Sequence, residues 1–225
     1  MASSSIFIYE LTSSNSITVL DIHNRLKEFM EDENNYFNLQ LISNTELIGE
    51  YVMVQNVEET YYNAEQRLFE TRIAPKANVL PFNIIDNYLE IWSNKTNANK
   101  LIFILSNLLN PISINAIEIS LIDTMKKLQR QKAKVSKVCF EDFLFTEEIV
   151  GNFTVDLSSY GDAFSVLQRY QDKISRMTVI LPCGDTILKL SLTSKGRVIV
   201  YKTRNNLDDE AIVSLHKILT NRGDV

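Results

Sequence analysis

The chain has 225 residues, 45% apolar and 23% charged, with a net charge of −5. That balance belongs to a folded protein with a substantial core rather than to a disordered one. It argues against a protein that coats nucleic acid non-specifically, because phosphate binding needs concentrated positive surface.

Ser5–Leu11 reads as a first strand, with Phe7, Tyr9 and Leu11 on one side and Ile6 and Ile8 on the other. Ser16 is placed to cap a helix in which Val19, Ile22, Leu26 and Met30 recur at helical spacing, ended by the acidic run Glu31–Glu33. Phe37–Ile42 predicts a second strand. From Leu47 to Asn94 the β-prone segments 51–55, 67–73 and 87–92 follow one another, with Asn63-Ala64 and Pro75–Asn78 as turns. Asn97 or Asn99 caps a helix through Leu109, stopped by Asn110-Pro111. The stripe Ile114, Ile117, Leu121, Met125, Leu128 predicts a helix over 115–131, against a competing strand over 112–119. Residues 135–145 and 149–157 read as a β-pair around Glu147-Glu148. A helix follows with Ala163, Val166, Leu167, Tyr170 and Ile174 on its apolar face. A three-stranded meander covers 177–181, 186–192 and 197–201, with Pro182–Asp185 and Thr193–Gly196 as turns. Asp208 or Asp209 opens a last helix, closed at Asn221–Gly223.

The C-terminal end echoes the middle. Tyr88–Trp92 followed by Leu101–Leu109 has a partner in Val198–Tyr201 followed by Ala211–Leu219. In each, a strand ending on an aromatic is followed by a polar connector and an apolar helix. This internal match predicts an α+β fold of two similar halves, 1–112 and 113–225. Each half is expected to be a mainly antiparallel sheet with helices on one face, packed together without a flexible linker. The layout is architecturally similar to saddle folds such as the TATA-binding proteins, a likeness that carries no function.

Chemistry-bearing patterns are sparse. Cys139 and Cys183 form no CxxC, and His23 and His216 stand alone, so no metal, disulfide framework or cofactor is expected. Cys183 with His216 as base would need a third orienting group, and nothing in the spacing brings them together. Six glycines in the chain leave little material for a phosphate-cradling loop. No catalytic signature marks an enzyme; a hydrolase would need a convergent set of carboxylates. The longest apolar run, Leu101–Leu105, is far short of the roughly 20 residues of a membrane helix. Met1–Glu10 lacks the features of a signal peptide, which sets the cytoplasm as the expected location and excludes a membrane partner.

One charge pattern remains. Lys126, Lys127, Arg130, Lys132, Lys134 and Lys137 form a run with no acidic residue among them. It is either a contact surface for nucleic acid or an acidic partner, or a helix end whose positive charges answer the helix dipole. Val138–Phe145 is apolar on both faces, which calls for burial on both sides or for a partner. The reading from sequence is a non-catalytic protein-interaction module, a subunit or adaptor of an intracellular complex or a self-associating protein. The alternative is a nucleic-acid-binding protein using the basic run.

Overall fold

A computed structural model describes residues 3–13, 17–29, 34–146, 149–183, 186–208, 211–212 and 215–216. Ser16, Glu31–Glu33, Glu147-Glu148, Gly184-Asp185, Asp209 and Asn221–Gly223, all singled out above, lie outside the described residues. The fold is α+β, with a large antiparallel sheet and four α-helices among the described residues. The chain forms two compact units, one of residues 11–91 and 95–114, the other of residues 1–10, 92–94 and 115–225.

In the first unit, helix α1 (Val19–Glu28) begins in a capping box. Thr18 Oγ1 accepts from the Asp21 amide at 3.2 Å, and Asp21 Oδ2 accepts from the Thr18 amide at 2.9 Å. The Thr18 amide, and then the Thr18 hydroxyl donating to the same carboxylate at 2.7 Å, hold the Asp21 carboxyl below its ordinary range. Val19, Ile22 and Leu26 are the buried side chains of α1. Strands β2 (Asn35–Ser43), β3 (Glu46–Asn63), β4 (Leu68–Ile85) and β5 (Tyr88–Trp92) pair antiparallel in that order. Helix α2 (Lys95–Leu108) starts ahead of the expected Asn caps and buries Ala98, Leu101 and Leu105. Arg25 Nη1 donates to the carbonyls of Leu109 at 3.3 Å and Asn110 at 3.0 Å, satisfying acceptors that the end of α2 leaves free. Leu47, Leu80, Phe82, Ile84, Leu89 and Ile91 are all but sealed from solvent. Gly49 lies opposite Phe82 in the β3–β4 register, and the ring covers it so closely that a Cβ there would stand 2.2 Å from Cζ.

The expected turn at Pro75–Asn78 does not form; these residues continue β4 without a break. Pro75 and Pro81 have the same parity, so both missing N–H groups fall on one edge of β4. β5 pairs only with Phe82–Ile85, so β3 alone accompanies the rest of the strand. Proline is tolerated where that edge has no partner.

In the second unit the strand order is β1 (Ser4–Thr12), β11 (Arg197–Val200), β10 (Thr186–Thr193), β9 (Ile174–Cys183), β7 (Lys134–Thr146), β8 (Ile149–Asp156). All the registers here are antiparallel. The helix expected over 115–131 divides. Ser113–Ala116 forms a short strand, β6, within the range of the competing strand, and helix α3 (Leu121–Arg130) begins only where the Ser120 hydroxyl accepts the Asp123 amide at 3.2 Å. Helix α4 (Ala163–Arg169) is shorter than its predicted stripe, and Ile174 opens β9 instead. The apolar residues alternate along β9–β10–β11: Met177, Val179, Leu181, Leu188, Leu190, Leu192, Val198 and Val200 are all at most 1% exposed, and of the polar residues between them Thr178 and Ser191 are also buried. These strands carry the meander that the alternation predicts. In β7, Val138 and Phe140 are buried, but the register shifts after Phe140 and Asp142 takes a φ of 48°. Leu144 beyond that bulge is exposed, so the segment is buried only up to the irregularity.

Candidate interaction surfaces

The β3–β4 hairpin pairs Glu46–Asn63 with Leu68–Ile85 in one unbroken register. None of residues 54–79 is buried. At about 3.4 Å per residue, the ribbon from Val54 to Asn63 is about 30 Å long. Directly opposed residues share a face, so the register separates two chemically different sides. One carries Gln55 and Lys76, Val57 and Ala74, Glu59 and Arg72, Tyr61 and Glu70, and Asn63 and Leu68. Five of its polar groups are bonded to one another: Arg72 Nη2 to Glu59 Oε2 at 3.4 Å, the Tyr61 hydroxyl donating to Glu70 Oε2 at 2.7 Å, and Asn63 Nδ2 donating to Glu70 Oε1 at 2.8 Å. The hydrogen bond to Glu70, and then its charge, push the Tyr61 phenol above its ordinary value.

The opposite side presents Val54 and Ala77, Asn56 and Pro75, Glu58 and Ile73, Thr60 and Thr71, and Tyr62 and Phe69. Its apolar groups are open to water: Tyr62 is 54% exposed, Phe69 73% and Ile73 72%. Tyr62 and Phe69 pair across the strands with ring centroids 5.4 Å apart. Tyr62, Phe69 and Ile73 make an exposed apolar cluster among Glu58, Thr60 and Thr71, and apolar groups rimmed by polar ones mark interaction sites. At the foot of the ribbon, Met53, Thr96, Asn99, Lys100, Phe103 and Ile104 line a cleft of about 470 Å³.

The basic run is divided between a helix and a strand. Lys126, Lys127 and Arg130 belong to α3, and Lys126 Nζ lies 3.1 Å from Asp123 Oδ1. The Ser120 hydrogen bond, and then Lys126, hold the Asp123 carboxyl low. Lys132 takes a left-handed φ of 58° just past the helix end. Its amide donates to Gln129 O at 3.1 Å, and the Ala133 amide donates to Leu128 O at 3.0 Å. This is the Schellman arrangement that closes helices, here built on a lysine. Lys134 and Lys137 lie on β7, and Lys137 stands 3.8 Å from Asp156 Oδ2.

Strand register gives Lys134 and Lys137 other neighbours. Lys134 pairs with Ile180 of β9, which pairs with Lys189 of β10. Cys139 pairs with Arg176, which pairs with Thr193. These rows alternate with the large apolar core rows, so the exposed Lys134, Lys137, Arg176 and Lys189 share the other, more open face of this sheet, on which the small Thr178 and Ser191 between them are buried; exposed Arg197 belongs to the row of Thr193. Their partners are mostly uncharged. Arg176 Nη2 and Nε lie 3.0 and 3.3 Å from Cys139 Sγ. Arg197 Nη2 donates to Ser5 Oγ at 3.0 Å and its guanidinium sits over the Phe7 ring. Lys189 Nζ is 5.2 Å from the centre of the Tyr201 ring.

Among the described residues neither Cys139 nor Cys183 is in a disulfide; Cys139 lies on the open face beside Arg176, and Cys183 is buried. Asp208 accepts the Ala211 amide at 2.7 Å, a capping role for its carboxylate. Among the described residues no three His, Cys, Asp or Glu side chains converge as a metal site, and no helix is long and apolar enough to cross a membrane. No protein-family model matches the chain, and no curated protein matches it. Sequence reasoning did not find the ribbon or the roles of Arg176, Lys189 and Arg197. Alternation on β9, β10 and β11 carried a signal for these three: Lys189 lies between core Leu188 and Leu190, and Arg176 and Arg197 directly precede core Met177 and Val198.

Proposed function

We propose that this chain is a non-catalytic protein-interaction module, a subunit or adaptor of a larger assembly that engages its partner through the β3–β4 ribbon. The observation that carries the reading is the exposed apolar cluster of Tyr62, Phe69 and Ile73 on one side of the ribbon, with Glu59, Tyr61, Asn63, Glu70 and Arg72 bonded among themselves on the other. Leaving Phe69, Ile73 and Tyr62 in water forgoes about 1.5–3 kcal/mol for each large side chain that a partner would bury.

The occupant that fits is a different protein with an apolar channel and a basic side chain opposite Glu58. Face to face, two ribbons of about 30 by 10 Å would bury about 600 Å² in total, below the roughly 1,200 Å² of a stable interface. The apolar side also offers no cation to answer Glu58. A channel that clasps the ribbon on more than one side meets both requirements.

Affinity capture from native lysate tests this with three forms of the protein: wild type, Phe69→Ser/Ile73→Ser, and Glu59→Gln/Arg72→Gln. One defined partner is expected with the first and third and not with the second. Equal capture by all three would remove the ribbon from the function. A wild-type dimer in sedimentation that the apolar-side variant dissolves would make a second copy the occupant.

A further inference from the structure

We infer that the open face of the β7–β9–β10–β11 sheet binds the phosphate backbone of a single-stranded nucleic acid, independently of the ribbon. Five cations, Lys134, Lys137, Arg176, Lys189 and Arg197, share this face. They do so on a chain whose net charge is −5, so the positive charge is local rather than a general property of the surface.

What holds these cations matters more than how many there are. A cation paired to a carboxylate has little charge left for a ligand, which is the situation of Lys126 with Asp123 and Lys137 with Asp156. Arg176, Lys189 and Arg197 are steadied by a cysteine sulfur, a tyrosine ring, and a serine hydroxyl with a phenylalanine ring. None of these groups is a carboxylate, so the side chains are positioned without an ion pair. Two acidic groups face them. Asp156 is close enough to Lys137 and Lys189 for both to help hold its carboxyl low, after the Ser158 hydrogen bonds. The charge of Arg176 is favoured first by the Cys139 sulfur and, least, by Glu141. The balance of the face is therefore positive by about three charges.

The arrangement suits a backbone. Strands are about 4.8 Å apart, so Lys134 and Lys189, two strands from each other, stand about 10 Å apart at their Cα positions; so do Arg176 and Arg197. Lysine and arginine side chains bridge that distance to successive phosphates of an extended strand. Half-buried Ile180, Ile199 and Tyr201 lie between the cations. They offer apolar surface to unstacked bases, which a duplex keeps inside.

Fluorescence anisotropy with a labelled oligothymidylate of about 20 nucleotides tests the inference. Wild type should bind with a slope of log K against log salt of about −2 to −3, from three or four phosphate contacts. Lys134→Glu/Lys189→Glu, both exposed positions, should weaken binding by about tenfold or more at low salt and flatten the slope. Lys126→Glu/Lys127→Glu/Arg130→Glu should bind within about twofold of wild type, since those residues belong to α3. Circular dichroism on each variant confirms the fold. The inference is overturned if wild type fails to bind, if the helix variant loses binding while the sheet variant keeps it, or if duplex of the same length binds more tightly. Binding to anionic phospholipid vesicles without binding to the oligonucleotide overturns it too. The ribbon variant Phe69→Ser/Ile73→Ser should bind the oligonucleotide like wild type, so failure of one proposal leaves the other standing.

Discussion

Residues 46–53 with 78–85, and residues 54–63 with 68–77, are two stretches of one hairpin with one register. In the near stretch, Leu47, Tyr51, Leu80, Phe82 and Ile84 are buried, and backbone pairing is reinforced by side chains removed from water. In the far stretch nothing is buried, and the pairing is reinforced by cross-strand contacts alone: an aromatic pair on one side, an ion pair and a shared carboxylate on the other. Identical pairing thus serves two ends. The near stretch is part of a core, while the far stretch keeps a surface available.

The sharpest way to break this contrast is to make the same change in both stretches. Phe82→Ala should cost about 3–5 kcal/mol, the transfer of a fully buried ring plus the cavity it leaves. Phe69→Ala, in the same strand, should cost no more than about 0.5 kcal/mol. Urea denaturation of both measures the gap, and similar losses would mean that the ribbon is held as tightly as the core. Next in size is Gly49→Ala, which forces a methyl into the Phe82 ring and should cost about 1–3 kcal/mol; a neutral result would mean that the ring swings aside. Glu59→Ala, which removes the exposed pairing with Arg72, should shift stability by about 0.5 kcal/mol or less.

The smallest effect is one of pH. Because the Tyr61 phenol is raised by Glu70, its hydrogen bond contributes below the ordinary tyrosine value near 10 and is lost as pH rises through the higher folded value. Glu70→Gln should bring the ionisation of Tyr61 to lower pH. The phenolate absorbance difference between each protein and its Tyr61→Phe counterpart isolates that group among the nine tyrosines.

These contrasts also explain which parts of the structure could be read from sequence. The meander over β9–β11 is legible because Leu188, Leu190 and Leu192 alternate with polar residues between clear turn signals. The ribbon is not, because Pro75–Asn78 has turn composition and the adjacent aromatics Tyr61-Tyr62 and apolar pair Leu68-Phe69 hide the alternation. A proline on an unpartnered strand edge looks locally the same as a proline in a turn, and only the register tells them apart. The basic run was plain as charge, but a one-residue left-handed turn at Lys132 sends its two ends to a helix and a strand. The partners of Lys134 on the open face come from β9 and β10, more than forty positions along the chain. Spacing in sequence holds no trace of such a meeting.

The ribbon's unbroken pairing also governs how its length can change. Adding or removing one residue on each strand moves the tip by about 3.4 Å and puts the turn on the other side, while the sides already formed keep their chemistry. A single residue added to one strand alone would turn over every side chain beyond it, setting Phe69 and Ile73 among the charges of the polar side. Reach in this element can therefore vary in matched steps, and unmatched ones are marked by the exchange of its two surfaces.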